Sequence, residues 1–201
     1  IGEQAGVISG SALLVDYMLT ITVSIAACAE AIFSFVPPQF QRIKLLFAVF
    51  LVLVLIILNL RGVKESVEVL APIFLTFIIT HGLLLGYGIL SHTSSFGAVS
   101  SGIQANLAID LSAIGIVGVL ALFFRAYSLG AGTYTGIEAV ANGLQIMREP
   151  KVQNGKRTMA YMATSLAVVA GGLLLCYLLW QVIPSPTKTL NAVLADAVFS
   201  G

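Results

Sequence analysis

Asp16, Thr20 and Ser24 recur at i, i+4 and i+8 inside an apolar run. A helix carries such residues on one face, within an arc of roughly 80° and about 12 Å of axis. Tyr17 adds a phenolic hydroxyl beside them, and Glu30 returns near the same stripe. One carboxylate among hydroxyls is an oxygen-rich surface of the kind that accepts a hard, weakly hydrated cation or an ammonium group. The competing structural reading has Thr20 and Ser24 bonding to their own helix carbonyls, with Asp16 at the membrane interface and Glu30 solvated.

A second group of residues interrupts a later apolar stretch. Gly130-Ala131-Gly132-Thr133-Tyr134-Thr135-Gly136 lowers helix propensity at every glycine and threonine, so a continuous helix is not expected there. A helix broken near the membrane midplane offers carbonyls from its first half and N–H groups from its second, and ions or charged substrates bind at such breaks. Glu138 follows within the first turn of the resumed helix, where the positive dipole end stabilises a carboxylate, and it is the expected proton-coupling group. The alternative is a capping or gating glutamate that binds nothing. His81, alone in its apolar segment, is read as an interhelical hydrogen-bonding residue, and Arg125 as a snorkelling or carbonyl-paired one.

The elements that must position these groups are membrane helices. Of 201 residues, 58% are hydrophobic and 9% charged, and the mean hydropathy is +1.01, which excludes a soluble globule. A bilayer core of about 30 Å takes roughly 20 apolar helical residues per crossing. Five such segments are expected, at about 5–36, 44–60, 67–90, 113–144 (broken around 130–136) and 158–183, with Pro72 near a first helical turn and the Ser/Gly-rich 91–110 as an external loop. The fold class is therefore an all-α polytopic membrane protein located in the cell membrane. Tyr177 and Trp180 stand where an interfacial belt belongs. Arg61, Lys64, Arg148, Lys151, Lys156 and Arg157 face Arg42, Lys44 and Lys188 across the membrane, which puts the larger set in the cytoplasm.

The net charge of +1 supports no nucleic-acid partner, and Cys28 and Cys176, both in apolar stretches, imply no disulfide framework. No P-loop, nucleophile elbow, H-E-x-x-H or paired-cysteine motif occurs, so neither an enzyme nor a transition-metal site is expected. No cofactor is expected beyond a coupling ion, H+ or Na+. The expected partners are the lipid bilayer and a small cation or amino acid substrate, and a homodimer is left open. The start at Ile1, with no signal peptide, reads as a piece of a longer protein.

Asn59-Leu60-Arg61-Gly62-Val63-Lys64 resembles the N-x-[KR]-G-x-K cytoplasmic turn of the amino acid/polyamine/organocation (APC) permeases, and Tyr134-Thr135-Gly136-Ile137-Glu138 resembles their broken sixth helix. The resemblance covers essentially the whole chain and is strongest to the KimA-type potassium uptake permeases. These are similar in Asp16-Tyr17 with Thr20 and Ser24, in Thr135 with Glu138, and in the Glu-Ala-Val-Ala-Asn-Gly run that follows. It implies a partial LeuT-like (APC) fold, the chain supplying the third to seventh of twelve helices, and secondary active transport by alternating access, most closely proton-coupled potassium uptake. Asp16, Tyr17, Thr20, Ser24 and Thr135 would line the cation path, Glu138 would be the proton-linked group, and Gly130, Gly132 and Gly136 would form the broken-helix backbone. A glutamate at the break also occurs in amino acid permeases, so proton- or sodium-coupled amino acid transport is the alternative.

Overall fold

The computed structural model describes residues 2–130, 132 and 135–200, with the backbone alone described at 63–65, 135 and 200. Among the described residues every regular element is helical: α1 (Glu3–Phe33), α2 (Lys44–Arg61), α3 (Val63–Leu90), α4 (Phe96–Gly130), α5 (Thr135–Asn142), α6 (Lys151–Leu179) and α7 (Leu190–Ser200). Short 3-10 turns at Pro38–Ile43, Thr93–Ser95 and Gly143–Ile146 join some of them. Among the described residues five helical stretches are long and apolar enough to cross a membrane. In hydrocarbon each backbone N–H and C=O must find a partner within the chain, which overrides the modest helix propensity of the Val- and Ile-rich α2. The chain is an all-α, polytopic integral membrane protein. No residue of α2 is buried, and its surface is apolar all round, as suits a helix bathed in lipid.

The chain divides into two compact units, residues 1–82 with 182–201 and residues 83–181. In the first, Phe33 of α1 meets Phe47 of α2 with ring centroids 5.6 Å apart, and Ile25, Ala29 and Phe33 form the buried edge of α1. The start of α7 is tied to the end of α1: Ser34 Oγ accepts the Thr189 N–H at 3.0 Å, and Thr189 Oγ1 in turn accepts the Ala192 N–H at 3.3 Å. The second capping bond satisfies an otherwise orphaned helix donor.

The α2–α3 connection is a single residue. Gly62 sits at φ 137° and ψ 157°, and its N–H bonds to the Asn59 carbonyl at 3.2 Å. Positive φ is open to glycine at no steric cost, and a Cβ there is strained. Gly62→Ala is therefore expected to cost about 1–2 kcal/mol, lowering the midpoint of thermal unfolding of the purified protein in detergent. An unchanged midpoint would mean that the turn adjusts without cost.

Several boundaries differ from those read in the sequence, for two physical reasons. Helices outrun their apolar parts: α6 begins at Lys151 rather than 158, because the polar stretch 151–157 is competent to form helix in water where hydropathy sees nothing. Likewise α3 begins at Val63, so Pro72 lies in the helix interior and not near its first turn. The second reason is that composition masked periodicity. The expected loop at 91–110 is helical from Phe96 onward. Beneath its Ser/Gly content the apolar residues Phe96, Val99, Ile103, Leu107, Leu111 and Ile114 recur at helical spacing. The serines serve the helix, with Ser101 Oγ donating to the Gly97 carbonyl at 3.1 Å and Ser112 Oγ to that of Ile109 at 2.7 Å.

In the second unit, glycines allow close packing. A Cβ on Gly172 of α6 would lie 2.9 Å from Leu85 Cδ1 of α3. Trp180 Nε1–H donates to the Gly88 carbonyl at 2.9 Å, and its ring lies 4.0 Å from that of His92. This places Trp180 at the junction of α3 and α6 ends, an aromatic at the level where interfacial belts sit.

Candidate functional site

On α1 the structure places Asp16 and Ser24 on exposed positions, with Tyr17 and Thr20 half-buried. At 100° per residue the Asp16, Thr20 and Ser24 positions fall about 100–180° away from the Ile25, Ala29 and Phe33 edge that packs within the unit. The oxygen stripe is thus turned away from that edge, although Leu13, Tyr17 and Thr20 on the stripe's side are half-buried. Thr22, off the stripe, donates to the Met18 carbonyl at 2.7 Å, the self-bonding expected of a membrane threonine. Asp16, Thr20 and Ser24 make no such side-chain bond among the described residues, which leaves their lone pairs available to a ligand. Glu30 is spoken for, since Lys44 Nζ reaches its Oε1 at 2.6 Å.

A cavity of about 280 Å³ opens beyond the end of α1, lined by Glu30, Ser34, Gln41, Lys44 and Lys188 among others. Its two lysines are matched by Glu30 and by Asp196, which pairs with Lys188. With cations and carboxylates already balanced, this cavity has no net charge with which to hold an ion.

In the second unit α4 ends at Gly130 and α5 begins at Thr135. Gly132 is described between them in a 3-10 conformation, while Ala131, Thr133 and Tyr134 lie outside the described residues, as does the side chain of Thr135. Glu138 occupies the first turn of the eight-residue α5 and is exposed, at the end where the helix dipole favours a carboxylate. What holds α5 in place is α6. Met162 Cε comes within 3.0 Å of where a Cβ on Gly136 would be, and Leu144, in the 3-10 turn that follows α5, packs closely over the buried Gly155. Gly136 thus acts as a packing contact as well as a member of the glycine run. Gly155 and Met162 escaped the sequence reading because a lone glycine or methionine in a helix carries no chemical signature. Filling the contact by Gly155→Leu is expected to overpack it by about 1–3 kcal/mol. Loss of monodisperse protein in detergent would report the strain, and an unaffected protein would show that Leu144 simply moves aside.

His81 finds its partner within its own helix and not on a neighbour, its Nδ1 lying 3.0 Å from the Phe77 carbonyl and its ring 4.0 Å from that of Phe77. Arg125 is exposed on α4 and makes no hydrogen bond or ion pair among the described residues. The α1 stripe and the α4–α5 interruption belong to different units of the chain.

No protein-family profile matches the chain. The chain is similar to the potassium transporter KimA of Bacillus subtilis (strain 168), with 33% identity over 210 aligned positions that take in 99% of this chain. It spans about a third, 32%, of that protein's length. The similarity runs from end to end of a chain that holds, among its described residues, five membrane-length helices, as an integral membrane protein does.

Proposed function

We propose that the chain carries part of the cation path of a potassium permease of the APC superfamily, with the LeuT-like arrangement of inverted repeats and proton-coupled alternating access. Asp16 supplies the charge, and Tyr17, Thr20 and Ser24 supply neutral oxygens that replace part of the hydration shell. A site dominated by hydroxyl and carbonyl oxygens binds potassium weakly enough to release it on the far side. Glu138 takes up and gives back the proton that drives the cycle, and the interrupted α4–α5 span provides the flexible segment about which one bundle rocks.

The observation that carries this reading is the α1 stripe itself. A carboxylate and two hydroxyls lie on the side of the helix away from its packed edge, uncommitted to intrahelical bonds, in a chain one third identical to a potassium transporter. Ionisable residues in spans are costly unless they serve a path or a partner. The test is uptake by the full-length protein in cells stripped of other potassium importers, run in parallel with labelled amino acids. Growth rescue at low potassium without amino acid uptake is the expected result. Amino acid uptake without rescue would overturn the potassium reading in favour of an amino acid permease.

A further inference from the structure

α4 is too long to be one crossing. Its 35 residues reach about 52 Å at 1.5 Å per residue, against a hydrocarbon core of about 30 Å. Only one part of it fits inside, and composition says which. From 116 to 124 the sequence holds no polar side chain, whereas the part before Gly115 carries Gln104, Asn106 and Asp110, with Asp110 alone costing about 2.5–3.5 kcal/mol at mid-membrane.

The two parts meet at Gly115, whose φ of 68° and ψ of 174° interrupt the helix and redirect its axis. The direction of the bend is legible. Residues four apart on a regular helix hold their Cβ atoms about 5–6 Å apart, yet a Cβ built on Gly118 would meet that of Ile114 at 2.8 Å. Ile114 therefore marks the inside of the corner. At 100° per residue, Phe96, Ile103, Leu107 and Ile114 lie within an arc of roughly 40°, flanked by Leu111 on one side and by Asp110 on the other, whose carboxylate must reach up to the headgroups. The opposite side of 96–114 is built of Gly, Ala and Ser with Ile109 as its one large side chain. The apolar stripe thus runs along the inner side of the corner, the side toward which the membrane-crossing part descends.

We propose that residues 96–114 form an interfacial helix, lying along the outer membrane face with the Phe96, Ile103, Leu107, Leu111 and Ile114 side chains sunk into the boundary between lipid headgroups and acyl chains. Its start fits that level: only residues 91–95 separate it from the end of α3, where the tilted Trp180 and His92 rings meet. The helix carries no lysine or arginine, so its hold on the bilayer is apolar and indifferent to anionic lipid. By fixing the height of Gly115 it sets the depth to which 116–130 carries the interruption before α5.

The experiment is a nitroxide scan of the full-length protein in phosphatidylcholine vesicles, after Cys28→Ser and Cys176→Ala. Phe96→Cys, Ile103→Cys, Leu107→Cys and Ile114→Cys are compared with Ala98→Cys, Ser101→Cys, Ala105→Cys and Ser112→Cys, using oxygen and a water-soluble nickel complex as relaxants. The stripe positions are expected about 5–10 Å below the phosphates and the others at or above them, in a 3.6-residue rhythm that added anionic lipid leaves unchanged. Three results would overturn the proposal: equal access of nickel to both sets, depth that peaks near 104–106 on every face as in a crossing helix, or a stripe closed to both relaxants because protein covers it. Impermeant maleimide labelling reads the same positions independently of the spin label. At least tenfold slower reaction on the stripe than opposite it is the expected pattern, and equal rates count against it.

Discussion

Asp16→Asn is expected to lower potassium uptake at limiting external potassium by about 10- to 100-fold while leaving membrane insertion intact. The change is isosteric and removes one formal charge from an exposed position, so the fold has little reason to respond. What is lost is a charged ligand, and interactions with a charged group contribute about 1.5–3 kcal/mol, which corresponds to that range of affinity. The loss should sit mostly in the apparent affinity, so that saturating potassium restores much of the rate. Thr20→Val and Ser24→Ala remove neutral oxygens and are expected to cost only a few-fold each. Thr22→Ala provides the control, because its hydroxyl is already bonded to the Met18 carbonyl and lies off the stripe. Uptake by Asp16→Asn at the native rate and affinity would remove the α1 stripe from the path.

The membrane spans were legible because hydrocarbon imposes one solution on the backbone, and an apolar run of sufficient length announces it. Residues 44–60 needed nothing more than their composition, and the structure extends that helix only to Arg61. Where helices leave the hydrocarbon the signal failed, at 151–157 and at 63–66, since water tolerates helix and coil alike and hydropathy does not distinguish them. The helix at 96–114 was hidden differently. Ser and Gly dominate its composition, while the period of six apolar residues decides the matter physically. The bend at Gly115 could not have been read at all, because a glycine inside a helical pattern is as often a packing contact as a turn.

The polar residues of the candidate site were legible in the sequence as candidates, and the contacts around them were not. Asp16, Thr20 and Ser24 stand out because oxygen in an apolar span is expensive, and the direction of the stripe relative to Ile25, Ala29 and Phe33 follows from helical phase alone. His81 drew the same suspicion and turned out to be satisfied by the turn before it, at Phe77. Glu30 is engaged by a lysine fourteen residues away that no helical spacing pairs with it. The packing of α5 and the 3-10 turn after it on α6 involves Gly136 with Met162 and Leu144 with Gly155, where shape matters and residue type says little.

Glu138→Gln is expected to uncouple the protein rather than empty its cation path. A proton driving force of 100 mV is worth about 2.3 kcal/mol per proton moved, so a cycle that loses one coupled proton loses a factor of about 40 in the accumulation it can sustain. In proteoliposomes, potassium uptake driven by an imposed pH gradient should therefore collapse, while exchange of internal for external potassium, which needs no net proton movement, persists. The substitution preserves volume, and α5 meets α6 where Gly136 approaches Met162, so the helix is expected to stay seated. Glu138→Asp keeps a carboxylate in the first turn of α5 and is expected to retain pH-driven uptake at a reduced rate. A Gln variant that still follows the pH gradient would assign the proton to another group. One that loses exchange together with coupling would make Glu138 part of the path itself, and the two outcomes are separated by a single pair of flux measurements on the same vesicles.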